Sequence, residues 1–167
     1  NNSIHLWHWN SSKISKSADS IFDKQKQNEF KRINLGEHQY KTILIIDDEP
    51  DILYTLKLAL ENSSEKYRVH TYNNPLLLLS KFKSNYYDLL LVDINMPFMN
   101  GFELSKKILE LDLNIRICFM STGEINLSAL RDVYPGRSMG CFIKKPIKIK
   151  NLIRLVETEL DWEKAKV

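Results

Sequence analysis

From residue 41 onward, apolar runs of strand length alternate with segments whose apolar residues recur at helical spacing. Five strands are predicted, over residues 42–46, 67–72, 88–92, 115–120 and 141–144. Five helices are predicted after them, over residues 50–60, 75–82, 102–111, 125–134 and 149–160. All strands except the second lack polar alternation, which is typical of parallel strands covered by helices on both faces. The pattern therefore predicts a doubly wound α/β fold of (βα)5 type with a five-stranded parallel sheet.

Residues 1–40 differ in composition from the rest of the chain. They are rich in Ser, Asn and Lys and hold no sustained period of 2 or 3.6 residues, so we expect a flexible polar extension. Within it, Phe22, Phe30 and Ile33 would share one face of a short helix between residues 17 and 33. The predicted organisation is an extension over residues 1–40, one domain over residues 41–162 and a short tail over residues 163–167.

The net charge of +3 is small and unevenly distributed. Residues 1–40 carry six Lys or Arg against four Asp or Glu, and residues 41–167 carry 18 against 17. The net charge of residues 41–167 is close to zero, which argues against a general nucleic-acid-binding protein, because such proteins normally have a large excess of basic residues. No apolar run exceeds four residues, far short of the ~20 that cross a bilayer. We therefore expect no membrane-spanning helix.

Two cysteines, Cys118 and Cys141, lie in apolar segments without a CxxC-type neighbour. Neither a disulfide framework nor a zinc site is indicated, so we expect two reduced core thiols. The start of the sequence also lacks the basic stretch and apolar core of a secretory signal. Both features predict a cytoplasmic location.

Polar residues follow four of the predicted strands, and the carboxyl ends of parallel strands meet at one edge of a sheet. Taken singly, each has a structural explanation, such as a helix start, a turn, a cap or a solvated side chain. Their coincidence at one edge favours a functional site. The residues are Asp47 and Asp48 after the first strand, Asp93 after the third, Ser121 and Thr122 after the fourth, and Lys144, Lys145 and Pro146 after the fifth.

Three carboxylates converging at one edge would repel one another unless a cation lies between them. Oxygen ligands suit a hard ion, and Mg²⁺ typically takes one or two carboxylates and leaves a position for a phosphoryl oxygen. An Asp carboxylate is also a competent nucleophile toward a phosphoryl group. Mg²⁺ on one side and a lysine on the other would neutralise the charge that develops in phosphoryl transfer.

Four segments in order, ILIIDDEPDIL, YDLLLVDINMPFMNGFEL, ICFMSTGE and CFIKKPI, resemble the receiver domain of two-component response regulators over residues 41–160. The resemblance implies a flavodoxin-like fold with strand order 2-1-3-4-5. It implies a phosphorylation-dependent signalling switch rather than an enzyme that turns over other substrates. A histidine kinase or phosphotransfer protein would donate the phosphoryl group in a Mg²⁺-dependent reaction, in which Mn²⁺ would substitute.

The resemblance also implies roles for individual residues. Asp93 is the implied phosphoacceptor, fixed by the following Met96, Pro97 and Gly101, and Lys145 is implied to pair with the phosphoryl group.

The implied Mg²⁺ ligands come from the same edge of the sheet. They are the carboxylates of Asp48 and Asp93, the backbone carbonyl of Asn95, and Asp47 acting through metal-bound water.

Two further residues resemble the family's switch. Ser121, which would also bind the phosphoryl group, is the implied hydroxyl residue, with Thr122 as a competing candidate. Phe142 is the implied aromatic residue. In the family, phosphorylation draws the hydroxyl inward, the ring follows, and the surface formed by the fourth and fifth strands and helices changes. That surface is the implied contact for an output protein. It is also where the sequence departs most from the family, with Thr122 in place of a small residue and with Ser138 and Met139 in place of a Gly-Ala pair.

Other interpretations stay open. The chain is alternatively a receiver fragment of a hybrid sensor kinase or larger regulator, an interpretation supported by the unusual residues 1–40 and the initial Asn. A haloacid-dehalogenase-type phosphohydrolase would also use a strand-end Asp and Mg²⁺, but Asn95 stands where its general acid would be. A receiver-like scaffold that accepts no phosphate is disfavoured by the intact acids and Lys145. No membrane partner and no DNA-binding domain are expected, since about 20 residues follow Lys145, and a homodimer is compatible with the resemblance.

Overall fold

Five parallel strands form the central sheet of the computed structural model, which describes residues 40–123 and 139–161. The strands are β1 (Lys41–Ile46), β2 (Tyr67–Tyr72), β3 (Leu89–Asp93), β4 (Arg116–Ser121) and β5 (Met139–Lys144). They lie side by side in the order β2-β1-β3-β4-β5. The predicted fold class and strand order are confirmed.

Four helices flank the sheet within the described residues: α1 (Pro50–Ser63), α2 (Pro75–Lys81), α3 (Gly101–Leu111) and α4 (Ile149–Asp161). Proline stands in the first turn of α1 and α2, where its fixed φ and missing N–H cost nothing. Asn74 and Asn100 cap α2 and α3, each accepting hydrogen bonds from two backbone N–H groups. Such a cap is worth about 1 kcal/mol. The helix predicted over residues 125–134 lies outside the described residues.

Alternation of side chains along the strands divides the core into two layers. In β1, Ile43 and Ile45 face the layer that includes buried residues of α1 and α4, and Leu44 and Ile46 face the layer that includes α3. All four side chains are fully buried. A strand buried on both faces needs no polar alternation, which explains why β1 reads as a continuous apolar run.

Two strands run one residue further than their sequence predicts. Asp93 pairs with Met120 in the β3–β4 ladder, and Ser121 pairs with Lys144 in the β4–β5 ladder. Asp93 and Ser121 are therefore the last residues of their strands rather than the first residues after them. Continued pairing with the neighbouring strand is the physical reason, because a ladder fixes polar residues as readily as apolar ones.

The expectation of two reduced core thiols was wrong, because Cys118 in β4 and Cys141 in β5 are joined by a disulfide. Their Cα atoms are 4.5 Å apart, within the normal range for bonded cysteines. The register shifts here: Ile117 pairs with Met139, but Phe119 pairs with Phe142. Two residues of β5 thus oppose Cys118 alone, forming a β-bulge. The cross-strand pairing leaves no local mark in the sequence, and Gly140 is the residue of β5 that stands at the bulge.

The predicted extension over residues 1–40 lies outside the described residues except for Tyr40, and the predicted tail over residues 163–167 lies outside them as well. Among the helices that the structure describes, none combines the length and the apolar character needed to cross a bilayer.

Candidate functional site

Three aspartates meet at the carboxyl edge of the sheet. Asp47 and Asp48 follow β1, and Asp93 ends β3. Each offers a carboxylate oxygen to a group whose members all lie within 4.8 Å of one another. Asp47 is fully buried and Asp93 nearly so, whereas Asp48 is exposed. Two of the three acids are therefore buried, and the third, Asp48, lies at the surface beside them.

Lys145 reaches into this group from the end of β5. Its Nζ lies 2.6 Å from Oδ2 of Asp47 and 2.7 Å from Oδ1 of Asp93. Its backbone N–H donates to the carbonyl of Ser121 at 2.8 Å, so the β4–β5 ladder continues into the residue that carries the ammonium. The peptide bond between Lys145 and Pro146 is cis. One cation thus bridges two buried acids.

Burial and charge act against each other at these groups. Burial raises the pKa of Asp47, the hydrogen bonds from Lys145 and the Glu49 backbone oppose that rise, and Asp93 adds to it. Burial alone would lower the pKa of Lys145, but the contacts with Asp47 and Asp93 more than offset burial, and its pKa is raised. The lysine is therefore held as an ammonium ion, while Asp47 is less readily ionised than a free carboxylic acid.

The loop after β3 fixes the carboxylate of Asp93. The backbone N–H of Asn95 donates to Oδ2 of Asp93 at 2.9 Å, and the N–H of Ile94 donates to the Met120 carbonyl at 2.9 Å. Gly101 closes the loop by donating its N–H to Ile94 at 3.0 Å. A Cβ at position 101 would collide with the Asp93 carbonyl and lie 3.0 Å from the Ile94 Cα, so only glycine allows this approach.

The family resemblance implies a role for the Asn95 carbonyl. The Asn95 N–H, which positions the Asp93 carboxylate, was not predicted. The signal was available, since Asp side chains commonly accept from the N–H two residues further on. The same turn occurs at Asp47, whose Oδ1 accepts from the Glu49 N–H at 3.1 Å. Asp47 and Asp93 are thus each oriented by the backbone N–H of the residue two positions further on.

Of the predicted switch residues, Ser121 is the last residue of β4, Thr122 directly follows it, and Phe142 lies in β5. Ser121 is buried, and its Oγ accepts from the Gly123 N–H at 3.0 Å, whereas Thr122 is exposed. Phe142 is half-buried and stacks on Phe119, with ring centroids 5.4 Å apart and planes inclined by 19°. The two hydroxyl candidates thus differ in burial.

The donor set suits a hard divalent cation. Three carboxylates and one ammonium leave two uncompensated negative charges within the site. Oδ2 of Asp47 is buried and has the Lys145 ammonium, 2.6 Å away, as its partner. Oxygen ligands carrying this charge favour Mg²⁺ or Mn²⁺ over softer metals.

Two curated regulatory proteins are similar to this chain over 123 residues. The chain is 33% identical over 123 residues to the nisin biosynthesis regulatory protein NisR of Lactococcus lactis subsp. lactis, which covers 72% of this chain and 51% of that protein. It is 32% identical over 123 residues to the response regulator ArlR of Staphylococcus aureus strain Mu50, covering 71% of this chain and 52% of that protein. The chain thus spans about half the length of these curated relatives.

Solved receiver domains share the fold. The non-phosphorylated HemR receiver domain of Leptospira biflexa superposes with a TM-score of 0.63 at 26% identity, covering 72% of this chain and 94% of that one. A CheY-like receiver domain protein of Methanospirillum hungatei gives a TM-score of 0.63 at 24% identity, covering 77% and 99%. The model of the family described as "Response regulator receiver domain" matches residues 43–157. With that match over most of the chain and with the acids and lysine gathered at one edge, the chain belongs to the response regulator receiver domain family.

Proposed function

We propose that the chain is a phosphorylation-dependent signalling switch whose phosphoacceptor is Asp93. One observation carries the proposal: the Asp93 carboxylate lies 2.7 Å from the Lys145 ammonium, beside the carboxylates of Asp47 and Asp48. An acid that is buried, oriented by the Asn95 N–H and set beside a fixed cation has the properties of a positioned nucleophile. A role for Asp93 in structure alone would need none of these neighbours.

In the proposed reaction, a carboxylate oxygen of Asp93 attacks the phosphorus of a phosphohistidine. A P–O bond forms, the P–N bond breaks, and the imidazole of the donor leaves with the electron pair. Lys145 neutralises charge on the phosphoryl oxygens as it develops. Asp48, Asp93 and the Asn95 carbonyl would hold Mg²⁺ or Mn²⁺ directly and Asp47 through water; the ion would supply further charge neutralisation.

The response would pass through Ser121 and Phe142. The Ser121 hydroxyl would exchange its contact with Gly123 for the new phosphoryl oxygens, and Phe142 would leave its place against Phe119. Thr122, being exposed, is the weaker candidate. The proposed output is a changed surface for a partner protein, formed by β4, the predicted helix over residues 125–134, β5 and α4.

The donor would be a histidine kinase or a phosphotransfer protein. Because the chain spans about half of NisR and ArlR, the alternative of a receiver within a larger regulator or hybrid kinase stands beside the stand-alone switch. A cytoplasmic location and a homodimer belong to the proposal as well. With Cys118 and Cys141 bonded, the argument for the cytoplasm from reduced thiols is lost. A phosphohydrolase is not favoured, since Asn95 offers no acid for turnover.

The test is intact-mass spectrometry after incubation with acetyl phosphate and Mg²⁺. We expect one phosphoryl group on the wild-type chain, none on Asp93→Asn and none when the metal is chelated. Asp88→Asn, which changes a half-buried acid at the amino end of β3, is the matched control and should accept phosphate normally. Absence of phosphate on the wild-type chain, or its persistence on Asp93→Asn, would contradict the proposal.

A further inference from the structure

Cys118 and Cys141 meet at the bulge between β4 and β5, close to the proposed switch residue Phe142. Gly140 and Cys141 both oppose Cys118, whose sulfur bonds to that of Cys141. A Cβ at position 140 would lie 2.8 Å from the Cys118 sulfur and 2.9 Å from the Ile117 carbonyl oxygen. The strand is therefore built with a residue that leaves room for the sulfur pair.

The disulfide and the stacked rings occupy opposite faces of the same strand pair. Cys118 and Cys141 pack in the core layer of α1 and α4, whereas Phe119 and Phe142 pack in the other layer. Each cysteine directly precedes one of the two rings in sequence. Holding the sulfurs together consequently holds the backbone that carries the Phe119–Phe142 stack.

The same segment fixes the register of the phosphoryl-binding lysine. After the bulge, Ser121 pairs with Lys144, and Lys145 donates its N–H to the Ser121 carbonyl. A covalent link between Cys118 and Cys141 lies three and four residues before these pairs. It restricts how far β5 can slide or peel away from β4.

We propose that Cys118 and Cys141 form a reversible thiol–disulfide site that sets how far β5 can respond to phosphorylation of Asp93. When the bond is closed, Phe142 is restrained against Phe119 and the response is weak. When it is open, β5 is free to rearrange. The coupling to phosphorylation rests on the proposed function, but the thiol chemistry does not.

Exchange would run through Cys141, because this residue is partly exposed on the strand at the end of the described sheet whereas Cys118 is fully buried. The co-reactant is a low-molecular-weight disulfide. The Cys141 thiol, losing its proton, attacks one sulfur and releases one small thiol, leaving a mixed disulfide. The Cys118 thiol then attacks the Cys141 sulfur and releases the second small thiol. Two protein thiols are oxidised, one small disulfide is reduced to two thiols, and reduction follows the reverse path.

A metal site formed by the same sulfurs is less consistent with the surroundings. Glu159 is the third group that could act as a ligand there. Its Oε2 already pairs with Nε of Arg116 at 2.6 Å, and both side chains are largely buried. The Glu159 carboxylate therefore links α4 to β4 through its ion pair with Arg116. Because this carboxylate already has a partner, a bond between the two sulfurs is favoured over a metal ion shared by all three groups.

The first experiment tests the thiol chemistry on the purified full chain. With oxidised glutathione, Cys118→Ser should trap a mixed disulfide at Cys141, whereas Cys141→Ser should form an adduct at least about tenfold more slowly because its thiol is buried. Peptide mass spectrometry locates the adduct. Equal rates in the two variants, or reduced wild-type chain that does not form the Cys118–Cys141 bond, would overturn the proposal.

The second experiment measures hydrogen exchange of the β5 amides in oxidised and reduced wild-type chain. Reduction should speed exchange by about tenfold or more, since a disulfide limits local opening. Acetyl phosphate with Mg²⁺ should then change β5 exchange several-fold more in the reduced chain than in the oxidised chain. The double variant Cys118→Ser/Cys141→Ser should not respond to redox conditions.

Phosphate on Asp93 is measured in the same samples, which separates the two proposals. If both redox forms accept phosphate but change β5 exchange equally, the redox coupling is wrong and the proposed function stands. If neither accepts phosphate, the proposed function is wrong, and the thiol site is still judged by exchange in the unphosphorylated chain. Identical β5 exchange in oxidised and reduced chains would overturn the thiol site itself.

Discussion

Both ends of the sheet hold buried aspartates, but the two ends use them differently. At the amino end, Asp112 is almost fully buried, and its two oxygens accept the N–H groups of Asn85 at 2.7 Å and Asn114 at 2.9 Å. Asp88 likewise accepts the Thr42 N–H at 2.8 Å and the Lys41 ammonium at 2.9 Å. Every oxygen of these two acids has a partner, so both acids hold the fold together.

At the carboxyl end the carboxylates outnumber the cation they contact. Asp47 and Asp93 share a single ammonium, that of Lys145, and Asp48 adds a third charge nearby. Carboxylates held this close repel one another, and that repulsion is costly to the folded state. The contrast teaches that the buried acids at both ends have a partner at each oxygen, and that the carboxyl end differs in crowding three carboxylates together.

The largest effect should come from supplying the missing charge. Mg²⁺ at about a hundred times its Kd should raise the free energy of unfolding by about 2.7 kcal/mol, because the ion binds the folded acids and not the unfolded chain. Urea unfolding at several Mg²⁺ concentrations measures this. Asp48→Asn should remove most of the gain, and Asp88→Asn should retain it. If Mg²⁺ does not change the free energy of unfolding of the wild-type chain, the acids at the two ends of the sheet do not differ in cation binding.

Removing a saturated acid should cost stability. In Asp112→Asn an amide NH₂ replaces one acceptor and faces a backbone N–H, which should lower the free energy of unfolding by about 2 kcal/mol. Phosphate uptake from acetyl phosphate should be unchanged. Urea unfolding and intact-mass measurements on the same protein check both statements, and undiminished stability would show that Asp112 is not a structural acid.

The same substitution at the other end should act in the opposite direction. Asp93→Asn removes a charge next to Asp47 while an amide oxygen remains for the Asn95 N–H. Without Mg²⁺, we expect the free energy of unfolding to rise by about 1 kcal/mol, because Lys145 keeps its contact with Asp47 and the repulsion between the two carboxylates is removed. A loss as large as that of Asp112→Asn would mean that the contacts of Asp93 with Lys145 and Asn95 outweigh its repulsion of Asp47.

The smallest expected effect is a pH dependence at Asp47. Its pKa is raised above 3.8 by burial, so the folded chain binds a proton more readily than the unfolded chain. The stability that this proton contributes is present below pH 3.8 and is lost as pH rises through the raised pKa. In metal-free solution, the difference in unfolding free energy between the wild-type chain and Asp47→Asn should follow this course. A difference that does not vary with pH would contradict it.

The sequence predicted the parts of the fold whose signals are local. β1 and β3 are buried on both faces and read as apolar runs, and Pro50 and Pro75 begin helices as their chemistry favours. The ends of β3 and β4 were placed one residue short, since only the neighbouring strand reveals that Asp93 and Ser121 are still paired.

The candidate site was predicted as a set of residues but not as a network. Strand ends indicated that Asp47, Asp93 and Lys145 would meet, and the structure brings them together. That one ammonium bridges both acids depends on distances of a few ångströms, which composition and spacing do not determine. The Cys118–Cys141 bond was missed for a related reason, because it depends on strand register and on a bulge.

The bulge has a consequence for comparing this chain with its relatives. Because two residues of β5 face one residue of β4, any alignment to a relative whose fifth strand pairs without a bulge needs a one-residue gap at Gly140 or Cys141. A gap placed after Phe142 instead would match its ring with a residue from the opposite face of the sheet. Substitution patterns on the two sides of β5 can be compared only when the gap is set by strand pairing.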